Sequence, residues 1–141
     1  MLSRGLLALL VLFAMACATA RPDASVNARS PAVAVVQKQL EAYNQRDVEA
    51  FVRTYADDVV ITGGGKVVVQ GKEALRDRYG KLFAKYPKGH AEIAERRVEG
   101  DNIVVDHEIV TGRGPDRPDP WDVGWVRYEV VDGLIRTVQL P

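Results

Sequence analysis

The residues best suited to acid-base chemistry stand together in the segment IVVDHEIVT, positions 103–111. In an extended strand successive side chains point to opposite faces, so Asp106, His107 and Glu108 cannot converge on one metal ion. If Val105 and Ile109 face the interior, His107 faces it too. With an ordinary pKa of about 6.5, it is then the best general acid or base in the chain. The alternative is a hydrogen-bonded wall histidine without a catalytic role.

A second group of candidates follows the proline-interrupted segment RGPDRPDP. Trp121 comes directly after it, at the expected mouth of an interior cavity, and Asp122 lies two residues before Gly124. A buried carboxylate is costly unless it is neutral or bonded to a partner. An inward-facing Asp122 is therefore expected to pair with His107, and these two residues are the predicted catalytic pair.

The residue inventory excludes several other chemistries. Serine occurs only at positions 3, 25 and 30 and cysteine only at position 17, which leaves no Ser-His-Asp or Cys-His nucleophile in the domain. The glycines of ITGGGKVVV lack the spacing of a phosphate-binding loop. Basic and acidic residues balance at 19 each without a basic run, so no nucleic-acid partner is expected. No metal and no cofactor is predicted.

The first thirty residues predict export. One arginine precedes an apolar run from Gly5 to about Ala16, too short to span a bilayer comfortably and followed by small residues. Two processing routes remain open: a signal peptide of residues 1–20, or a lipoprotein signal of residues 1–16 with lipidated Cys17 as the mature N-terminus. Residues 21–30 are predicted to form a flexible linker to a domain of residues 31–141. The expected location is the periplasm or, through a lipid anchor alone, the membrane of a bacterial envelope.

The elements that must position these side chains are helical first and extended later. Helical spacing of apolar residues predicts three helices: one beginning at Ser30-Pro31, a short one capped by Asp47 and ending in YADD, and one opened by Gly71. Tyr55 in YADD is expected to face the interior and its two aspartates the solvent.

Two strands are predicted between the second and third helices, at Val59–Ile61 and Lys66–Gln70, with a turn at Gly63–Gly65. Four more follow the helices, at His90–Val98, Ile103–Thr111, Asp122–Val130 and Leu134–Leu140. This order predicts an α+β fold with three N-terminal helices packed on one face of a curved, mainly antiparallel sheet. Such a sheet leaves a cone that tends to contain a pocket.

The same order of segments resembles the SnoaL-like branch of the nuclear transport factor 2 superfamily, which includes ketosteroid isomerases and polyketide cyclases. The resemblance rests on DVEAFVRTYADDVVI, QGKEALRDRYGKLF, VVDHEIVTG and VRYEVVDGLI, and it extends from Val33 to Leu140. It implies the cone-shaped fold of that superfamily, but a fold does not establish a reaction.

The catalytic residues of ketosteroid isomerase are not retained at the corresponding positions. Its general base corresponds to Gly63, its oxyanion-hole tyrosine to Gln39 and its second oxyanion donor to a position near Gly124, and none of these has the required side chain. What the resemblance does retain is a supporting polar wall, since Tyr55 and Tyr79 match tyrosines that support the oxyanion tyrosine.

A polar wall of this kind can orient an apolar molecule that has one or two oxygens. Gln39 and Tyr43 are one helical turn apart, so both can face the same interior. The predicted ligand-binding residues are Gln39, Tyr43, Tyr55, Tyr79, Trp121 and Tyr128. The alternative is that the tyrosines are ordinary large core residues.

The outer face of the sheet often forms a dimer interface in this superfamily, so the resemblance implies a homodimer. Asp106 and Glu108 are expected on this outer face, with Arg127 and Glu129 of the following strand as cross-strand partners.

Three functions remain open from the sequence. The first is an exported domain that binds a small, mostly apolar, oxygen-bearing molecule in its cone. The second is a proton-transfer isomerase, cyclase or hydrolase that uses His107, with or without Asp122. The third is a non-catalytic dimeric accessory module of the envelope, whose cone is filled by side chains.

Overall fold

The structure, a computed structural model, describes residues 30–141. The export segment, Cys17 and the linker up to residue 29 lie outside the described residues. Within residues 30–141, no helix is both long enough and apolar enough to cross a bilayer.

The first helix forms where the sequence places a proline in the first turn. Helix α1 comprises Pro31–Gln45. Ser30 occupies the N-cap position as predicted, but its hydroxyl makes no capping hydrogen bond. Pro31, whose fixed φ suits a first turn, therefore sets the helix start. The helix buries one side against the sheet, including Val36, Gln39 and Tyr43.

The second helix ends earlier than predicted, and a strand begins in its place. Helix α2 comprises Val48–Val52, with the Asp47 carboxylate accepting a hydrogen bond from the Ala50 backbone N–H at 2.9 Å. Strand β1 then comprises Tyr55–Gly63, so the prediction that YADD ends a helix is wrong. Tyr55 pairs instead with Ile135 near the end of the chain. This long-range strand pairing overrides the helical pattern of the local sequence.

The remaining elements agree with the predicted bounds to within one residue at each end. Strand β2 and helix α3 comprise Lys66–Gln70 and Lys72–Lys85. The last four strands are β3 (His90–Glu99), β4 (Ile103–Thr111), β5 (Trp121–Val131) and β6 (Leu134–Leu140).

The six strands form one sheet in the order β2-β1-β6-β5-β4-β3. Strands β1 and β6 pair in parallel, and every other neighbouring pair is antiparallel. Helix α1 contacts β3 to β6, and α3 contacts β1 and β2, while α2 lies between the two helices. The predicted α+β fold, with helices on one face of a mainly antiparallel sheet, is confirmed.

The hydrophobic core lies between the helices and the inner face of the sheet. An aromatic cluster occupies its centre, where the ring centroids of Phe51 and Tyr79 are 4.3 Å apart and those of Phe51 and Tyr55 are 5.0 Å apart. Such contacts add to the stabilisation from apolar burial. The aromatic cluster therefore fixes two of the predicted pocket tyrosines in place.

The loop between β4 and β5, residues 112–120, is fastened to the end of α3. Gly112 has φ 73°, and a Cβ added there would overlap the carbonyl carbon and oxygen of Lys88. Farther along the loop, Asp116 accepts a hydrogen bond from the Tyr86 hydroxyl at 2.6 Å and forms an ion pair with Lys85 at 2.9 Å. These contacts fix the loop that follows the polar strand β4.

Candidate functional site

A pocket of about 350 Å³ opens between the helices and the sheet. This volume lies at the lower end of the range for small-molecule sites, about 300–1,000 Å³. Its apolar wall includes Leu40, Leu82, Val110, Val123, Val138 and Leu140. Its polar wall contains tyrosine hydroxyls, an amide, a carboxyl group and three arginines. The inside of the cone therefore has room for a compact ligand.

All six residues predicted to bind a ligand line this pocket: Gln39, Tyr43, Tyr55, Tyr79, Trp121 and Tyr128. They come from four separate elements, α1, β1, α3 and β5. The fold thus brings together side chains that are far apart in the sequence. That they bind a ligand stays a prediction.

Hydrogen bonds hold the polar wall in place. The Gln39 amide nitrogen donates to the Tyr55 hydroxyl oxygen at 3.1 Å. Nearer the loop, an Nη of Arg113 donates to the Tyr43 hydroxyl oxygen at 2.6 Å, and its guanidinium lies 4.7 Å from the centroid of the Tyr86 ring. Gln39, at the position that the resemblance assigns to the oxyanion tyrosine, is therefore bonded to the supporting tyrosine.

The pocket contains a carboxyl group that the sequence analysis placed on the outer face. Glu108 lies on β4 and lines the pocket, and its Oε1 accepts a hydrogen bond from the Tyr128 hydroxyl at 2.5 Å. Burial raises the pKa of Glu108 to about 7, and the negative charge of Asp106 acts in the same direction. The hydrogen bond from Tyr128 and the charge of Arg96 act against this rise in pKa. Near neutral pH this group can therefore either accept or donate a proton.

The pocket tyrosines stay protonated over a wide pH range. Burial is the largest cause that raises the pKa of Tyr55 and Tyr128 well above its usual value, and it also raises the pKa of Tyr79. The negative charge of Glu108 acts in the same direction on all three. The Tyr55 and Tyr79 hydroxyls are therefore available as hydrogen-bond donors to a ligand, while the Tyr128 hydroxyl donates to Glu108.

The predicted orientation of β4 is wrong, because its acidic residues face inward. Val104, Asp106 and Val110 are buried, and Glu108 shares their face. Asp106 is only 1% exposed, and its two carboxylate oxygens each accept a hydrogen bond from Arg96 at 2.7 Å. A carboxylate bonded in this way to a guanidinium tolerates burial.

A signal for this orientation exists in the hairpin that joins β3 and β4. Its tight turn pairs Glu99 with Ile103, and the same register brings Arg96 opposite Asp106. Residues opposite each other in a sheet point to the same face. The opposite charges therefore indicate a shared face, and Glu108, two residues after Asp106, follows on the same side. Apolar alternation alone could not predict which face of β4 is buried, because apolar residues occur on both faces of this strand.

His107 and Asp122 do pair with each other, but on the outer face of the sheet. The Nε2 of His107 lies 2.8 Å from the Oδ1 of Asp122. The imidazole stacks on Trp125 with ring centroids 5.0 Å apart. Because Glu108 and its face point inward, His107 points outward, and the prediction that His107 faces the cone is wrong. A catalytic role of this pair stays a prediction, although neither His107 nor Asp122 lines the pocket.

A β-bulge explains why Asp122 faces outward. Glu108 pairs with Gly124, whereas the next residue of β4, Ile109, pairs with Asp122. Val123 is therefore an extra residue in β5, and it reverses the alternation on its N-terminal side. A regular strand would have placed Asp122 on the same face as Gly124, which is the pattern that the prediction assumed.

The two glycines at ketosteroid isomerase positions differ in their surroundings. Gly63 is the last residue of β1 and lines the pocket, and the turn after it has positive φ only at Gly64 and Gly65. An added Cβ at Gly63 would make only ordinary contacts, at 3.7 Å or more. Gly124 has φ 92° and pairs directly with Glu108. The carboxyl group in this part of the pocket thus comes from the neighbouring strand.

Within residues 30–141, no group of three His, Cys, Asp or Glu side chains could hold a metal ion.

Comparison with known sequences agrees with the observed architecture. The sequence profile described as the SnoaL-like domain matches residues 36–138. No curated protein shows significant similarity to the chain.

Solved structures show similar folds. An uncharacterized cystatin-fold protein from Novosphingobium aromaticivorans is 29% identical, with a TM-score of 0.69, over 79% of this chain and 97% of the other. A proposed polyketide cyclase from Sinorhizobium meliloti is 23% identical, with a TM-score of 0.66, over 77% and 94%. A Mycobacterium tuberculosis protein in complex with estradiol-17beta-hemisuccinate is 19% identical, with a TM-score of 0.62, over 79% and 93%.

Proposed function

We propose that this chain, which belongs to the family of SnoaL-like domains, is an exported small-molecule-binding protein. The ligand is a compact, mostly apolar molecule with one or more oxygens. The observation that supports this most is the pocket of about 350 Å³, where an apolar wall meets the six polar or aromatic residues predicted to bind a ligand. Binding sites for small molecules combine these properties: a concave apolar surface and a few converging polar groups.

One further observation supports binding in this pocket, and the pocket itself argues against one of the alternatives. The Mycobacterium tuberculosis protein of similar fold is in complex with a steroid ester. The third function open from the sequence, an accessory module with a filled cone, is not favoured by an open pocket of this size.

Two matched substitutions on β6 test the proposal. Leu140 lines the pocket and Leu134 does not, so Leu140→Trp should fill the pocket while Leu134→Trp adds the same ring elsewhere. Titration with the neutral fluorescent probe N-phenyl-1-naphthylamine should show binding to the wild type and to Leu134→Trp. Binding to Leu140→Trp should be at least about tenfold weaker, the loss of roughly 1.4 kcal/mol or more. Equal binding by all three proteins would contradict the proposal.

A second candidate function is proton-transfer catalysis, and Glu108 is the observation that favours it. This carboxyl group lies in the pocket, bonded to the Tyr128 hydroxyl, and burial raises its pKa to about 7. A general base is most effective when its pKa lies near the working pH. In this candidate mechanism Glu108 removes a proton next to a substrate carbonyl, and a pocket tyrosine donates a hydrogen bond to the developing oxyanion.

Glu108→Gln and His107→Ala together test the catalytic candidate. In a screen of enolisable ketones and lactones, Glu108→Gln should lower turnover by at least about a hundredfold, since general-base catalysis typically contributes 10²–10⁴-fold. His107→Ala should leave turnover within about twofold. If His107→Ala abolishes turnover and Glu108→Gln does not, Glu108 is not the base.

Export and anchoring rest on the N-terminal sequence. The lipoprotein alternative requires Cys17 as the lipid attachment site. Cys17→Ala should therefore move the protein from the membrane fraction to the soluble fraction of the envelope. An unchanged distribution would favour the signal peptide of residues 1–20.

A further inference from the structure

Three arginines line the pocket: Arg78 on α3, and Arg113 and Arg117 on the β4–β5 loop. Within residues 30–141, none of these three side chains forms a salt bridge. The chain as a whole has no formal net charge. An excess of positive charge is therefore concentrated at this pocket.

Acidic side chains near the loop have other partners. Asp116 bonds to Tyr86 and Lys85, and Asp119 accepts a hydrogen bond from the Gly112 backbone N–H at 3.2 Å. Inside the pocket, Glu108 is bonded to Tyr128. The charge of the arginines is therefore not matched by an ion pair with any of these acids.

Arg113 is held in place by contacts that leave part of its guanidinium unused. One Nη donates to the Tyr43 hydroxyl at 2.6 Å, and the group stacks on the Tyr86 ring. Its Nε is buried and has no hydrogen-bond partner among residues 30–141. A buried donor without an acceptor is unfavourable, and a small rotation of the side chain toward an anionic oxygen of a ligand would give it one.

Arg117 is held in a comparable way at the outer end of the pocket. Its guanidinium lies 4.6 Å from the centroid of the Trp121 ring, and both residues line the pocket. Stacking on an aromatic ring restricts the orientation of a guanidinium and leaves its edge free for hydrogen bonds. Arg113 and Arg117 are thus two positioned cations on a loop that is fastened to α3.

We infer that the pocket selects an amphiphilic anion: an apolar body with one anionic oxygen group, such as a carboxylate or a sulfonate. The anionic group binds Arg113 and Arg117 at the loop, and the apolar body packs against Leu40, Leu82 and Val138. This inference depends on the proposed binding function and specifies the chemical class of the ligand.

A pair of fluorescent probes with similar apolar bodies separates the two proposals. 1-Anilinonaphthalene-8-sulfonate has an anionic sulfonate, and N-phenyl-1-naphthylamine has none. The ratio of their dissociation constants reports the preference for the anion. Binding of the neutral probe alone reports whether the apolar pocket accepts a ligand.

Arg113→Gln should reduce the anionic preference by at least about tenfold, because it removes charge-assisted hydrogen bonds to the anion. The neutral probe, measured with each variant, corrects this ratio for any change in the pocket itself. Arg117→Gln, at an exposed position with little risk to folding, should reduce the preference at least threefold. Arg53→Gln, an exposed arginine outside this pocket, is the matched control and should change neither constant.

An unchanged preference in both pocket variants, with the neutral probe bound, would overturn the anion inference and leave the proposed function intact. Failure of the wild type to bind either probe would contradict both the anion inference and the proposed binding function. If Arg113→Gln does not fold, Arg117→Gln and the salt dependence of the wild type decide the matter. Only the anionic probe should bind more weakly as ionic strength rises.

Discussion

At the scale of single residues, the pocket depends on which acidic side chains have partners. Asp106 is buried because Arg96 binds both of its oxygens. Among the described residues, Glu108 has a single side-chain hydrogen bond, from Tyr128, and it is not bonded to a cation. Burial can therefore raise the pKa of Glu108 to about 7 while Asp106 serves as a structural anion. Two acids of one strand face thus have different roles because of their neighbours.

The raised pKa of Glu108 predicts a pH dependence of stability. The pKa of Glu108 is about 7 in the folded state and about 4.3 in the unfolded state. Between about pH 4.3 and about pH 7, the folded state therefore binds more protons than the unfolded state. The contribution of Glu108 to the free energy of unfolding is fully present below the unfolded pKa, and it is lost as the pH rises through about 7. Relative to Glu108→Gln, the wild type should lose on the order of 2 kcal/mol between about pH 5 and pH 8. Urea unfolding at a series of pH values measures this difference, and parallel profiles for the two proteins would contradict it.

The sequence predicted the residues of the pocket wall correctly, but it did not predict which acid-base residue of β4 faces the pocket. Gln39, Tyr43 and Tyr79 could be assigned to the interior because a helix has a single buried side. Glu108 and His107 could not be separated by apolar alternation, because β4 has apolar residues on both faces and its orientation is indicated only by a partner in another strand. That partner, Arg96, lies ten residues away.

At the scale of elements, the β4–β5 loop determines where the arginines lie, and Gly112 determines the path of that loop. Local turn chemistry predicted a proline-interrupted loop, but its contact with Lys88 depends on how α3 ends against the sheet. The same limitation applies to β1, whose early start at Tyr55 is set by pairing with β6. Hairpins and helices were predictable because their contacts are local.

Two glycine substitutions with similar backbone strain test the role of Gly112. Both Gly112 and Gly64 have positive φ, but a Cβ at Gly64 would meet nothing within 4 Å. Gly64→Ala should therefore cost only the conformational strain, about 1–2 kcal/mol. Gly112→Ala adds the overlap with Lys88 and should destabilise by at least about 2 kcal/mol more. Equal losses in thermal or chemical unfolding would show that the loop contact is not structurally important.

At the scale of the whole molecule, the helices occupy one face of the sheet and leave the other face open. This outer face includes Trp125, which is 37% exposed and lies between His107 and the guanidinium of Arg97. The homodimer implied by the family resemblance would use this surface, and a partly exposed tryptophan with arginine beside it is typical of such interfaces.

A charged residue in place of Trp125 tests the homodimer. Sedimentation velocity should show a dimer for the wild type and a monomer for Trp125→Glu, because an unpaired carboxylate in the interface is costly. Val67 is 58% exposed on the edge strand β2, and Val67→Glu should leave the dimer intact. A wild-type monomer, or a dimer that survives Trp125→Glu, would exclude this face as the interface.

The bulge at Val123 has a consequence for comparing this chain with its relatives. Because Val123 is the surplus residue of the pair with β4, a relative lacking one residue there would keep Trp121 inward and Asp122 outward. A relative that keeps this residue but pairs the two strands without a bulge would exchange these two faces, with Asp122 inward and Trp121 outside the pocket. The presence or absence of one bulge therefore decides which of two adjacent residues a relative of this fold would turn toward its pocket.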